Sequence, residues 1–486
     1  MNSKAFGRHS RVVAALAAIA AGLGANQAWG SGFALQEQNA SGLGHAFAGG
    51  AAAAEDVSTI WFNPAGLVRL TSPQVVIAAN AICPSDTLHD SGSQPAAFQP
   101  LGGTGGDAGS CAGVPNMYIG VPFADKWSFG LAVNVPFGLK TQFDPDWLGR
   151  FQAVKSEIQT INVNPALSWE PTPHLTVGAG VSFQHLKATL SNKVNYAALY
   201  AQGVGAAVAG GLVPAAAAPA LIGAGSGLET DASVSGSDSA WGWNIGVLWQ
   251  ASEQTRFGAA YRSQIKYNVS GNVDFSNPSS VGALPPTLAP VGAAILNNVS
   301  SAICTGTVGA TGPVQSCSSG VNLAIKMPDT ANVSVFHQFN NQWDLMADLQ
   351  YTGWSVVNQL QIVRDTGAVL STTPENWRDT WRIAAGANYR YTDQWTFRGG
   401  VAYDQTPVRD EFRTPRLPDS DRTWLAVGAQ YKPNPNWAFD VGYTHIFMKD
   451  GSINQDAGSQ AAYGLILGSF SNEVNIVGVQ LTYTFK

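Results

Sequence analysis

Apolar and polar positions alternate with period two over most of this chain, and the alternation restarts after each of six short polar turns. Trp127, Phe129, Leu131 and Val133 follow "FADK", and Leu175, Val177, Ala179, Val181 and Phe183 follow "EPTPH". Phe257, Ala259 and Tyr261 follow "ASEQTR"; Trp343, Leu345, Ala347, Leu349 and Tyr351 follow "FNNQ". Trp395, Phe397 and Val401 follow "YTDQ", and Trp437, Phe439, Val441 and Tyr443 follow "KPNPN". Equally alternating runs precede the turns, as in Ile161–Trp169 and Trp241–Val247. Period two sends one set of side chains to each face of a strand. Six tight turns give six hairpins, and strands near Gln74–Ala81 and Val477–Phe485 are left to close on each other. The expected fold is all-β, a 14-stranded antiparallel transmembrane barrel with short turns on one rim and long loops on the other. A large apolar residue, usually Trp or Phe, recurs just after nearly every turn. That matches an aromatic girdle at a membrane interface, which a soluble sandwich does not need.

Composition supports this reading. Only 12% of residues are charged, while the chain holds 53 glycines and 15 tryptophans. The first thirty residues read as a secretory signal: Lys4, Arg8 and Arg11 precede the apolar run Val12–Gly24, and Ala28-Trp29-Gly30 offers a cleavage site. That run is too short to span a bilayer comfortably. Removing its three cations from the net charge of -6 leaves -9. An acidic chain without a basic cluster excludes nucleic-acid binding as a working hypothesis. Cys83, Cys111, Cys304 and Cys317, none in a strand drawn from the pattern, are expected to form disulfides in an exported chain. Of three connectivities, Cys83–Cys111 and Cys304–Cys317 close the shortest loops. No metal site is expected, since no histidine lies near them.

Residues 31–72 fit neither a strand nor a long helix. "EDVSTIWFNPAGLVRL" (Glu55–Leu70) carries Ile60, Trp61 and Phe62, then breaks at Asn63-Pro64-Ala65-Gly66. With Phe33, Leu35 and Phe47 upstream, this stretch would be poorly solvated as a free tail. Folding into the lumen would bury it, and a barrel of this size has room for a plug.

"SGFALQEQNASGLGHAFAGGAAAAEDVSTIWFNPAGLVRL" (Ser31–Leu70) resembles the N-terminal hatch of the FadL family, outer-membrane transporters of long-chain fatty acids and other hydrophobic compounds. The resemblance rests on Gly32-Phe33, the stretch Ser41–Gly50, Glu55-Asp56 and Asn63-Pro64-Ala65. "PFGL" at Pro136–Leu139 and "LPDSDR" at Leu417–Arg422 add to it. It implies a signal over 1–30, a hatch over 31–72 and a barrel over 73–486. It also implies capture of a hydrophobic ligand between outer loops, transfer to a tighter pocket beside Phe33, and release sideways through a kink in the third strand. Asn63, Pro64 and Ala65 would hold the hatch or let it move. Members of the family also carry monoaromatic hydrocarbons, and the sequence does not separate the two cargoes.

Several residues point the same way without the family. Asn134-Val135-Pro136-Phe137-Gly138 interrupts the third strand, because proline cannot donate to the ladder and glycine weakens it. A kink and a simple strand end both fit that pattern; the family resemblance favours the kink. No charged residue lies between Lys193 and Glu229 or between Asp274 and Lys326. Within these loops Val291, Ile295, Val299 and Ile303 recur every four residues, and Tyr196, Leu199 and Tyr200 open a second amphipathic stretch. Such loops pack on each other or bind something apolar. Strand parity turns Arg262, Lys266, Arg382, Arg390 and Arg398 into the lumen together with Asp344, Asp348, Asp404 and Asp440. Most of these should pair; Arg262 and Lys266 are the candidates for a ligand carboxylate. An enzyme is not expected, because the seven histidines are scattered and no Ser/His/acid set falls on adjacent strands. No cofactor is implied. The expected surroundings are outer-membrane lipid and lipopolysaccharide, with the barrel a monomer. An open porin for hydrophilic solutes is the remaining alternative.

Overall fold

The computed structural model describes residues 32–305 and 316–485; the expected signal over 1–30 and Ser31 lie outside them. Twenty strand segments form one sheet, and six of the membrane strands are interrupted or extended, which leaves fourteen. They are β1 Gln74–Asp90, β2 Ala112–Ala124, β3 Trp127–Asn134 continued by Gly138–Gln142, β4 Lys155–Thr172 and β5 Leu175–Val194. Next come β6 Thr230–Gln250, β7 Thr255–Arg262 continued by Ile265–Ser276, β8 Ser316–Met327 continued by Thr330–Gln338, and β9 Trp343–Thr352 extended by Gln359–Arg364. The last are β10 Val369–Pro374 with Thr380–Arg390, β11 Trp395–Asp404, β12 Arg422–Asn434, β13 Trp437–Met448 with Gly451–Gln455, and β14 Ile466–Thr484. Antiparallel pairing of β1 with β14, from Gln74↔Thr484 to Asp90↔Gly468, closes the cylinder. Closure removes the sheet edges that a lipid environment could not satisfy.

The six turns lie where the alternation places them. Trp127 stacks on Trp169, and Trp343 meets Tyr389, Trp395 meets Tyr431 and Trp437 meets Tyr483 in tilted contacts, with centroids 4.5 to 5.6 Å apart. These cross-strand pairs make the girdle at the short-turn rim. No described helix is long and apolar enough to cross a membrane. β1 and β14 both run further outward than the pattern suggests. Cys83 therefore sits within β1, and Cys317 lies in β8, contrary to the expectation that no cysteine is in a strand. Outside the bilayer, strand residues need not alternate in polarity, so periodicity does not mark these extensions. The disulfides are Cys83–Cys111 and Cys304–Cys317, as loop length favours.

Three breaks interrupt the wall. β3 breaks at Val135-Pro136-Phe137, β7 at Ser263-Gln264 and β8 at Pro328-Asp329. In β3 the register moves from Asn134↔Asn162 to Gly138↔Gln159, so the strand takes one extra residue there. It is thus both an end and a kink, the signature of a bulge. β7 likewise takes one residue more than β6 between Asn244↔Arg262 and Ser237↔Ser270. That extra residue reverses parity. Lys266, expected inside, is exposed on the outer face, whereas Ile265 and Tyr267 turn inward.

Residues 32–70 lie inside the barrel, mostly buried, as short helical turns Ala40–Leu43, Gly50–Ala53 and Thr59–Phe62 and a 3-10 helix Pro64–Arg69. Asn63 caps the 3-10 helix by accepting from the Ala65 amide at 3.0 Å, and Pro64 occupies the first helical position, where its missing N–H costs nothing. The Asn63 amide donates to Ala51 O at 2.7 Å and to Val247 O of β6 at 2.9 Å. The wall is glycine at this contact. A Cβ on Gly178 would lie 2.3 Å from the Ala65 nitrogen, and one on Gly246 2.0 Å from Asn63 Oδ1. The apolar, turn-broken segment is therefore a folded plug fitted against a thinned wall.

Candidate functional site

The β3 break has lost its neighbour on the β2 side, and the start of the hatch replaces it. Leu35 N donates to Pro136 O at 2.8 Å, Gly138 N donates to Phe33 O at 2.9 Å, and Ala34 forms a bridge with Phe137. Side chains complete the seal. Asn134 Nδ2 donates to Gln38 Oε1 at 2.6 Å, Gln38 Nε2 to Val135 O at 3.0 Å, and Val135 N to Asn116 Oδ1 at 3.2 Å. Buried backbone polar groups need partners, so the gap in the wall stays shut while residues 33–38 lie across it.

Phe33 also fills an aromatic box. Its ring lies 5.0 Å from Trp354, 5.6 Å from Trp377 and 5.9 Å from Phe137, and it is 3% exposed. Leu139, Ile158, Leu186 and Ile265 pack around these rings. Before it, Gly32 adopts φ +60° and donates its N–H to Asp419 Oδ2 at 2.9 Å. Asp419 and Arg422, both from the "LPDSDR" stretch, form an ion pair. That stretch is thus a clamp on the start of the hatch, a role the sequence did not disclose.

A cavity of about 70 Å³ separates the hatch from the wall, bordered by Trp61, Pro136, Phe137, Arg262 and Pro328. Arg262 points inward as expected. Its guanidinium lies 3.7 Å above the Trp61 ring and donates to Trp61 O at 2.9 Å and Ser182 Oγ at 3.1 Å. It has no carboxylate within ion-pair distance among the described residues. The other inward charges brace the hatch or one another. Arg398 pairs with Asp440 and with Glu55 at 3.3 Å, and Arg382 lies 3.9 Å from Asp348. Arg390 pairs with Asp344. Asp404 is also buried. Arg256, not singled out from the sequence, donates to Ala52 O at 2.9 Å and covers Phe336 at 3.8 Å.

Among the described residues the longer helices of the outer loops are Tyr196–Ala209, Ala218–Gly225 and Ala289–Thr305. Tyr196, Tyr200, Leu221, Ile295 and Leu296 form a core between them, with Val291 and Val299 packed at its side. Most of the apolar stripe therefore packs loop on loop. Leu199 differs: with Ile303, Phe275 and Leu360 it lines a cavity of about 530 Å³ beneath the helices. Arg416 also lines this cavity. Nearby Glu375 accepts from Trp377 Nε1 at 2.8 Å, which links this region to the Phe33 box. Burial pushes the Glu375 carboxyl up to about 8, against the pull of Trp377 and Arg416. Burial lowers Arg416 to about 10, so it stays charged at neutral pH.

Residues 21–485 match the family model described as outer membrane protein transport protein (OMPP1/FadL/TodX). The chain is 29% identical over 446 residues to the long-chain fatty acid transport protein of Escherichia coli K12, covering 90% of this chain and 92% of that one. The crystal structure of a Pseudomonas aeruginosa FadL homologue superposes with a TM-score of 0.78 at 26% identity, over 94% of this chain and all of that one. The Pseudomonas putida toluene transporter TodX, at 18% identity, shares the fold with a TM-score of 0.61, over 88% of this chain and 94% of that one.

Proposed function

Because this chain belongs to the outer membrane protein transport family of OMPP1, FadL and TodX, and is thus an outer-membrane transporter of hydrophobic compounds, we propose that its cargo is long-chain fatty acid. One observation carries the reading: the same residues, Phe33–Leu35, fill the aromatic box and supply the missing neighbour at the β3 break. A ligand that takes the box must expel Phe33, and expelling Phe33 removes the strand that seals the gap. Binding and opening are then one event. Cargo enters the 530 Å³ outer cavity along Leu199, reaches the box, and leaves sideways between β2 and β3 past Asn134, Pro136 and Gly138 into the membrane. Asn63, Pro64 and Ala65 hold the body of the hatch against β5 and β6 meanwhile. Arg262, a lumen cation without a carboxylate partner among the described residues, favours an acidic cargo. The hatch fills the space through which a porin for hydrophilic solutes would conduct. A monoaromatic hydrocarbon is the second reading, favoured by the four-ring box itself, and it would make no use of Arg262.

The test is to lock the seal. Ala34 and Phe137 face each other as bridge partners, so an Ala34→Cys/Phe137→Cys disulfide would hold the hatch start on the kink. Uptake of labelled oleate by cells lacking their own transporter should fall to background in the oxidised double variant. It should recover on reduction, with both single variants and reduced wild type as controls. Wild-type uptake through the cross-linked protein would eliminate this route.

A further inference from the structure

We propose that Arg416 is the carboxylate anchor of the outer cavity, fixing the headgroup of a long-chain acid there and so selecting acids over neutral hydrocarbons of equal size. The inference rests on the fatty-acid reading and adds the residue that would enforce it.

Among the described residues, Lys193, Arg364 and Arg416 line this cavity and Lys155 lies close by; all but Arg416 are already engaged. Lys193 lies 2.8 Å from Asp231 and 4.0 Å from Glu229, and Lys155 lies 2.6 Å from Glu157. Arg364 donates to Ile303 O, Cys304 O and Ser319 Oγ, closing the end of the helix Ala289–Thr305. Arg416 has no carboxylate within 4 Å among the described residues. Its contacts are long: Nη1 is 3.4 Å from Lys155 O, 3.3 Å from Ser156 Oγ and 3.5 Å from Ser191 O, and Nη2 is 3.4 Å from Asn192 Oδ1. Charge-assisted bonds to a well-matched partner are nearer 2.7 to 2.9 Å. These oxygens hold the side chain over the tops of β4 and β5 without neutralising it.

The acid that acts on Arg416 is Glu375, and burial keeps that carboxyl protonated at neutral pH. A half-buried cation under the influence of a neutral acid leaves a charge uncompensated at the edge of an apolar space. Uncompensated charge in such surroundings is costly, and an incoming carboxylate would relieve it with the paired geometry that a guanidinium offers. The remaining lining suits the rest of such a molecule. Val194, Leu199, Val273, Phe275, Ile303 and Ile362 give the cavity an apolar wall for an alkyl chain. Its position is also apt, since Glu375 contacts Trp377 and Trp377 contacts Phe33. A chain anchored at Arg416 is held next to the box it must enter.

The discriminating pair of probes is oleate and oleyl alcohol, which share a chain and differ in headgroup charge. Binding to the purified full chain would be measured near pH 7 for wild type, Arg416→Met and Arg416→Lys. Wild type should bind oleate at least about tenfold more tightly than the alcohol, on the scale of one charge-assisted bond. Arg416→Met should bring that ratio close to one without weakening the alcohol, and Arg416→Lys should restore part of it. An unchanged ratio in Arg416→Met would overturn the assignment. Loss of both ligands in Arg416→Met, restored for neither by Arg416→Lys, would show a structural role and overturn it equally. A wild type that binds the two alike refutes acid selection while leaving hydrophobic uptake intact; binding of neither removes the fatty-acid reading itself.

Discussion

Asn63 makes three hydrogen bonds that no other side chain in the hatch duplicates, so Asn63→Ala measures how firmly the plug is fastened. It accepts from Ala65 N at 3.0 Å and donates to Ala51 O at 2.7 Å and Val247 O at 2.9 Å. The first is an N-cap, whose loss costs about 1 kcal/mol. The others are each worth about 1 kcal/mol net, and their removal strands two carbonyl oxygens that need partners. The total is about 3 kcal/mol, an increase of about a hundredfold in the population with this part of the hatch lifted from the wall. A cysteine at Ala65, which is fully buried, reports that population. When reclosing outpaces labelling, the rate of maleimide modification tracks the open fraction. Ala65→Cys would be compared with Ala65→Cys/Asn63→Ala, the folded barrel being verified by its mobility before and after heating. Asn63→Asp separates the contributions, since it keeps the cap acceptor but loses both donors. It should be at least as open as Asn63→Ala, because a buried carboxylate there would face the Ala51 and Val247 carbonyl oxygens, a repulsion that outweighs the one bond it keeps. Labelling within threefold of the single variant would refute the reasoning, and so would an Asn63→Asp protein as closed as wild type.

Two further outcomes follow from the outer face. The Glu375 carboxyl has a folded value near 8, raised by burial from 4.5. Its contribution to loop stability is therefore complete below about pH 4.5 and lost as pH rises through 8, where it ionises and competes for Arg416. Oleate affinity should decline between pH 7 and 9 in wild type but stay level in Glu375→Gln, and parallel declines would separate the effect from Glu375. The Cys304–Cys317 bridge closes a loop of 13 residues in sequence separation, a constraint worth about 3 kcal/mol. Replacing both by serine should release the helix Ala289–Thr305 from β8. Elastase is the suitable probe, since no Lys or Arg lies between Asp274 and Lys326 for trypsin. Unaltered cleavage would mean the helix is held by its apolar core and Arg364 alone.

Strands and their count were legible because lipid on one side and hatch on the other enforce period two for as long as the wall lies in the membrane. The same rule failed at Lys266. One inserted residue at Ser263-Gln264 reverses every side chain beyond it, and no proline or glycine stands at that point to announce the insertion. At Pro136 the break was visible because proline itself removes a donor. What pairs with the broken strand, the Phe33–Leu35 backbone from a hundred residues upstream, has no local signature. The roles of Asp419 and Arg256 were hidden for the same reason, since each acts on backbone of the hatch. The apolar loop stripe was read correctly as amphipathic, but its partner was other loops, so only Leu199 among the candidate capture residues faces the cavity.

The placement of charge inside the barrel decides which part of the hatch can move. Arg398 with Asp440 and Glu55, and Arg382 near Asp348, lie on β9 to β13 and hold the hatch from Ala46 to Glu55. Breaking one partner from a buried pair costs about 3 to 5 kcal/mol, and displacing the hatch body would break the Arg398–Glu55 pair together with the Arg382 bond to Ala46 O and the Arg256 bond to Ala52 O. The segment Gly32–Gln38 lies on the other side and is fastened differently. Two backbone bonds, the Gln38 side chain and the packing of one phenyl ring hold it to the kink, its first amide rests on Asp419, and its last two carbonyls accept from Asn80, Asn116 and Tyr118. A ligand can replace the phenyl ring in kind, ring or chain against the same tryptophans, and so compensates the largest part of that attachment. It has nothing to offer in exchange for the Arg398–Glu55 pair and the arginine bonds to the hatch backbone. On the proposed route, cargo passage would require only the first seven described residues to shift, with the body of the hatch remaining as the floor that turns the ligand sideways.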